Sequence, residues 1–280
     1  MFKICAVVSS YFPDLNELEK NINSYLHWVD RLIIWENTPR KESKIATLID
    51  ALNSDKIEFR TTGQNEYLAK PFNICIQWAK ENGYTHLLTM DQDSCFENGH
   101  FEKYINKIIQ VNNDSIAVYA PNTQNLEIES EILEKDVVIT SGAIIPLKVF
   151  NIIGTFNEDF LIDRVDTEFC FRTRIRGFKV VCITQVILNH KLGYQKRNGL
   201  GLVINNYSAQ RTYYIIRNSI LLWKLYPDMV EFNEKYAFYK FKVVFRLAKI
   251  IFEKDRFRKL EAIFLGLMHG YLSKKGRYDL

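Results

Sequence analysis

The chain has 280 residues, is 47% hydrophobic and 25% charged, and carries a formal net charge of +4. These values fit a folded protein with a sizeable core, and no run of about 18 uncharged apolar residues is present to span a membrane. The five cysteines (Cys5, Cys75, Cys95, Cys170, Cys182) form no CxxC pair, which points to buried free thiols in a reducing compartment rather than a disulfide scaffold or zinc site.

In chain order, "KICAVVSS" is a short Val- and Ile-rich run that predicts a buried strand. The same region, "MFKICAVVSSYF", is too short in its apolar part for a signal peptide, so a cytoplasmic protein is expected. "PDLNELEKNINSYLHW" follows with apolar residues at helical spacing behind a capping Asp. "RLIIWEN" predicts a second strand, "SKIATLIDALN" a helix and "KIEFRTT" a third strand. "YLAKPFNICIQWAKENG" is a helix with Pro71 in its first turn and Gly83 at its C-terminal cap. "THLLTM" is the fourth strand. This alternation predicts an α/β fold with a mostly parallel sheet.

Beyond it, "HFEKYINKIIQVNN" predicts a helix, "SIAVYAP" a strand, and "KDVVITSGAIIP" a strand ending in a Ser-Gly turn. The stretch 147–183 predicts a helix, an acidic loop, a second helix and a strand. From Asn205 onward the chain reads as helical. The economical division is an α/β domain over 1–205, with halves 1–95 and 96–205, and a helical C-terminal extension over 206–280.

Four constellations could carry chemistry. In "MDQDS", Asp91 and Asp93 stand just past a buried strand, at the edge where such sheets bind ligands. They read either as a solvated turn or as hard ligands for Mg2+ or Mn2+. In "FLIDRVDTEFCFR", Asp163, Asp166 and Glu168 cluster at a helix start, where they either complement the helix dipole or include a general base. His190 in "VILNHKLG" is structural unless its strand delivers it beside the metal. Arg217, in "RTYYIIRN", lies on an apolar helix and needs a partner, a carboxylate or a phosphate.

Together "MDQDS", "SGAIIP…VFNIIGTFNEDFLIDRVDTEFCFR", "NHKLG" and "YYIIRN" resemble a family 2 glycosyltransferase of the GT-A fold, in its rhamnosyltransferase-like branch. The resemblance covers most of the chain and implies a Rossmann-like nucleotide-binding half. By it, Ser9, Tyr11, Glu36, Asn37, Asn65, Asn73, Asp91 and Arg217 would hold the nucleotide-sugar. Asp93, with Asp91 and His190, would hold Mg2+ or Mn2+, Asp91 lying nearer the ribose or a metal-bound water. Ser141, Gly142, Asp163 and Glu168 would face the acceptor, with Asp166 as the base of an inverting transfer. The related pattern Asn-x-Gly-x-Ala-x-Ala-x-Asn is matched in "NEYLAKPFN" at Asn65, Ala69 and Asn73, whereas Tyr67 and Pro71 depart from it.

The implied activity is transfer of a sugar, rhamnose from dTDP-rhamnose as first choice, to a hydroxyl of a growing, lipid-linked bacterial surface glycan. A UDP-hexose or UDP-galactofuranose donor, an oligosaccharide acceptor, and a non-catalytic scaffold of polysaccharide assembly are the alternatives. From Tyr236 to Leu280, eleven Lys and Arg face four carboxylates, a net +7 that leaves the rest of the chain at −3. Mixed with Phe, Val and Ile, these cations fit either a peripheral contact with the inner face of the plasma membrane or helices packed on the catalytic domain. No nucleic-acid motif accompanies them, so no nucleic-acid partner is expected.

Overall fold

The computed structural model describes residues 2–125, 129–190, 196–197, 203–204, 207–250 and 253–279. The domain boundary expected at 205/206 and the "KLG" of "NHKLG" lie outside the described residues. Two compact units emerge: Met1–Phe156 with Phe169–Lys191, and Asn157–Glu168 with Leu192–Leu280.

The first unit opens with the expected alternation: β1 (Ile4–Ser10), α1 (Leu15–Asn23), β2 (Arg31–Glu36), α2 (Ile45–Leu52), β3 (Ile57–Thr61), α3 (Ala69–Glu81) and β4 (His86–Asp91). Asp14 caps α1 by accepting from the Glu17 N–H at 3.1 Å. Gly83, at φ +73°, ends α3, with the Tyr84 N–H returning to the Ala79 carbonyl at 3.0 Å. β5 (Ser94–Phe96), α4 (His100–Val111), β6 (Ile116–Asn122), β7 (Ile132–Glu134), β8 (Ala143–Pro146) and α5 (Val149–Ile153) follow. Next come α6 (Val165–Ile175), whose first turn belongs to the second unit, and β9 (Lys179–His190).

The sheet runs β3-β2-β1-β4-β8-β6-β9-β5, with β7 added on β9. Strands β3, β2, β1 and β4 are parallel to their neighbours, and β8 enters antiparallel between β4 and β6. Parallel strands covered on both faces read as continuous apolar runs, and β1 is buried at six of its seven positions. One expectation needs correcting: "KDVVIT" is not a strand. The β-structure stops at Glu134 and resumes only at Ala143, after the Ser141-Gly142 turn. All five cysteines are free, and four of them are buried.

The second unit contains the two-residue strands β10 (Lys196–Arg197) and β11 (Val203–Ile204) and the helices α7 (Ala209–Leu225), α8 (Phe232–Phe238), α9 (Phe245–Ile250) and α10 (Arg256–Tyr271). A π-helical turn over Tyr239–Val244 joins α8 to α9. α10 lies close against α7, where a Cβ added at Gly270 would meet the Ile220 Cβ at 2.8 Å. Among the described residues no helix is long and apolar enough to cross a membrane.

Candidate functional site

Strand register brings the expected donor-side residues of the first unit to one edge. Ser10 pairs with Glu36 across β1 and β2, and Ser9 pairs with Asp91 across β1 and β4. Just past β2, Asn37 is buried and its side chain ties three segments together. Its Nδ2 donates to Ser9 Oγ at 3.0 Å and to the Tyr67 carbonyl at 2.8 Å, while its Oδ1 accepts from the Glu66 N–H at 2.9 Å. Asn65 Oδ1 in turn accepts from the Tyr67 N–H at 2.8 Å. Tyr67 sits at φ +61°, the left-handed region that glycine occupies without strain. Tyr67 thus stands in a backbone geometry that glycine would adopt without strain.

Glu36 is fully buried and accepts from the Ser43 hydroxyl. Asn73 brackets the backbone of Phe156, donating to its carbonyl and accepting from its N–H, both at 2.9 Å. Tyr11 has its N–H held by Gln92 Oε1 at 2.7 Å. Its half-exposed ring meets that of Phe12 edge-on at 4.7 Å.

Asp91, Asp93 and His190 each place one donor atom within 4.8 Å of the others. The register explains the convergence: β5 pairs antiparallel with β9, so Ser94 faces His190. A chain of two buried hydroxyls links Asp91 to His190. The Asp91 N–H donates to Ser141 Oγ at 3.1 Å, Ser141 donates to Ser94 Oγ at 2.7 Å, and Ser94 Oγ lies 2.8 Å from His190 Nδ1. His190 Nδ1 is also 3.6 Å from Asp93 Oδ1. Two carboxylates and an imidazole make a donor set suited to a divalent ion that keeps further positions for water or phosphate. Ser94 and Gln92 were not singled out in the sequence, because nothing local marks a serine that acts through strand pairing.

Gly142 shapes the same edge. It sits at φ +79°, and an added Cβ would come within 2.6 Å of Pro121 Cγ and 2.8 Å of Leu188 Cδ2. Its N–H donates to the Thr89 carbonyl at 2.7 Å, which fixes the neighbouring Ser141 in the hydroxyl chain. Ser141 also lines a cavity of about 240 Å³ with Asn122, Gln124 and Lys135. A larger cavity, about 540 Å³, is lined by Phe2, Tyr84 and His86 at the amino end of β4, the opposite end from Asp91.

In the second unit Asp163 sits on a constrained loop, and Asp166 and Glu168 follow in the first turn of α6. Leu161, Asp163 and Arg164 all have positive φ, at +55°, +60° and +68°. Such strain persists only where surroundings over-determine it, and Asn218 supplies the surroundings. Its Nδ2 lies 2.6, 2.7 and 2.9 Å from the carbonyls of Phe160, Ile162 and Asp163. Arg217 is fully buried and donates to the Asp159 carbonyl at 2.7 Å, the Gly276 carbonyl at 2.6 Å and Asn218 Oδ1 at 2.8 Å. Carbonyls, rather than the phosphate or carboxylate expected, take these donors, and a nucleotide-holding role for Arg217 finds no support in this geometry.

Glu168 is buried, with Oε1 accepting from the Tyr226 hydroxyl at 2.7 Å. Asp163 is raised above the ordinary carboxyl range by burial, an effect opposed by Arg211 at 3.4 Å. Asp166 keeps partial solvent access but is crowded by protein. That desolvation raises its carboxyl, against the Thr167 N–H that donates to it at 2.7 Å and the nearby Arg164.

No family model matches the chain. It is 29% identical over 240 residues to the dTDP-rhamnosyl transferase RfbF of Shigella flexneri, across 78% of this chain and 79% of that one. Its fold matches the crystal structure of GalNAc-T7 with UDP, GalNAc and Mn2+ at a TM-score of 0.60 and 10% identity, over 86% of this chain. The chain spans about half, 54%, of the length of that structure's chain. The chain therefore has the GT-A glycosyltransferase fold and is similar in sequence to a dTDP-rhamnosyl transferase.

Proposed function

We propose that this chain is a metal-dependent, inverting glycosyltransferase that takes rhamnose from dTDP-rhamnose and adds it to a hydroxyl of a lipid-linked surface glycan. The observation that carries the reading is the Asp91–Asp93–His190 donor set at the carboxyl end of β4. The similarity to a dTDP-rhamnosyl transferase supports the choice of donor.

A divalent ion bound there would neutralise charge on the departing nucleoside diphosphate. Asp93, His190 and Asp91 are the residues that would hold that ion. Asn37 and Asn65 keep the Ser9 and Tyr67 segments in place for the nucleotide. Asp166 removes the proton of the acceptor hydroxyl as its oxygen attacks the anomeric carbon, and the bond from that carbon to the diphosphate breaks. Burial raises its carboxyl above the ordinary value, which makes it a stronger proton acceptor than a solvated aspartate. The basic, aromatic segment 236–280 then rests on the inner face of the plasma membrane, where such an acceptor resides.

Calorimetric titration with dTDP-rhamnose, UDP-sugars and GDP-sugars, with and without Mn2+, tests the reading. Mn2+-dependent binding of dTDP-rhamnose, abolished by Asp93→Ala in a protein that still melts cooperatively, is expected. Absence of binding across the whole panel would overturn it.

A further inference from the structure

In the second unit, α7 and the segment running from the π-helical turn into α9 enclose a cavity of about 400 Å³. One side is apolar, with Ile215, Ile216, Phe241 and Phe245, and the other carries Lys242, Arg246 and Lys249. Among the described residues a single carboxylate lines it, Glu253, and that charge is already matched. Lys259 Nζ lies 2.7 Å and Arg246 3.6 Å from Glu253 Oε2. The cavity therefore holds an excess of positive charge.

Arg246 is held in the cavity wall by the protein itself. One guanidinium nitrogen donates to Thr212 Oγ1 at 2.7 Å, whereas Nε is buried and has no hydrogen-bond partner among the described residues. A buried donor left unmade is costly. Burial, then the neighbouring cations Arg164 and Arg246, hold Lys242 below its ordinary value, against the opposing charge of Asp163. An anion in the cavity would offset the cations that line it.

The surroundings say what carries that anion. Phe241 and Phe245 stack at 5.4 Å and stay largely exposed, as do the adjoining Val244 and Leu247. Phe241 and Lys242 also stand in the π-helical turn, an irregularity frequent at functional sites. A cationic recess rimmed by exposed aromatic and aliphatic side chains fits a phosphate head joined to an apolar chain. We infer that this cavity binds the phosphate headgroup of an anionic membrane lipid, the chemical class of a lipid-linked acceptor. The inference rests on the function proposed above.

The test uses the full chain in two arms: co-sedimentation with phosphatidylcholine vesicles with or without phosphatidylglycerol, and calorimetry with sodium diphosphate. Binding to the anionic vesicles is expected, weakening as salt is raised. Lys242→Gln and Lys249→Gln should each cost roughly fivefold, with Lys→Arg at both positions restoring it. Phe241→Ser with Phe245→Ser should weaken vesicle binding and leave diphosphate binding intact. Unchanged vesicle binding in the double glutamine variant, or equal binding to neutral vesicles, overturns the inference. Diphosphate binding that needs the lysines, without vesicle binding, assigns the cavity to a free phosphate compound and overturns the lipid assignment. Mn2+-dependent nucleotide binding in the same preparations reports separately on the first unit, so failure of the proposed function is distinguishable.

Discussion

The Asn37 side chain holds Tyr67 in a left-handed backbone conformation, donating to its carbonyl at 2.8 Å while accepting from the preceding N–H of Glu66 at 2.9 Å. The φ of +61° at Tyr67 costs an L-residue about 1–2 kcal/mol. Strain at the carboxyl edge of a sheet persists only where the surroundings over-determine it, and the Asn37 clamp, which includes Ser9, supplies them.

Replacing Tyr67 separates ring from strain. Tyr67→Ala removes the ring and keeps the strained φ, whereas Tyr67→Gly removes the ring and relieves it. The glycine variant is therefore expected to be the more stable of the two by about 1 kcal/mol, read from urea unfolding at constant m-value. Equal stabilities would show that Tyr67 is not strained. Both variants should bind nucleotide-sugar more weakly than the parent if the ring faces the donor.

Ser94 acts on His190 through the pairing of β5 with β9, at 2.8 Å from Nδ1. Groups that orient a metal-binding imidazole typically contribute 10–100-fold in affinity. Ser94→Ala is expected to weaken Mn2+ binding by about that factor, measured by calorimetry or by the free-ion Mn2+ resonance signal. An unaltered Mn2+ affinity in a folded Ser94→Ala protein would detach the hydroxyl chain from the metal site.

These two cases show what was legible in the sequence. The strands β1 to β4 and their helices could be read because strands buried on both faces are unbroken apolar runs and the helices between them are amphipathic. Asp91 and Asp93 were legible because two carboxylates interrupt such a run. Ser94 was not, because its role exists only through a partner 96 residues away. "KDVVIT" misled because β-branched residues favour strands wherever they occur. Its neighbours pair instead at Ile132–Glu134 and Ala143–Pro146. Arg217 was recognised as needing a partner, but backbone carbonyls leave no trace in a sequence.

Asp166 makes stability depend on pH in the sense opposite to most aspartates. Its carboxyl is raised from the ordinary value of 3.8 by burial, so the folded state favours the protonated form. Its stabilising contribution is complete below the ordinary value and is lost as pH rises through the raised one. Asp166→Asn cannot ionise and still accepts from the Thr167 N–H. It should be more stable than the parent at neutral pH, with the advantage shrinking as pH falls towards the ordinary carboxyl range. Transfer activity should drop by about 10²–10⁴-fold. A stability difference that does not change with pH would contradict the raised carboxyl.

Asn218 offers the sharpest test of the loop that carries the carboxylates. Asn218→Asp is nearly isosteric and keeps the oxygen that accepts from Arg217 Nε at 2.8 Å. It replaces the donating amide, which faces the carbonyls of Phe160, Ile162 and Asp163, with an acceptor. Buried acceptors left facing one another cost about 1–3 kcal/mol, and the positive φ values at Leu161, Asp163 and Arg164 then lose what enforces them. The loop is expected to relax first, since the strain is stored there. Hydrogen exchange should therefore accelerate at residues 160–166 before the rest of α7. Turnover should fall while Mn2+ affinity at Asp91, Asp93 and His190 stays at the parent value. If exchange in the loop is unchanged, or if Mn2+ affinity falls in parallel with turnover, Asn218 is a general stabilising residue and not the brace of the Asp163–Asp166 loop.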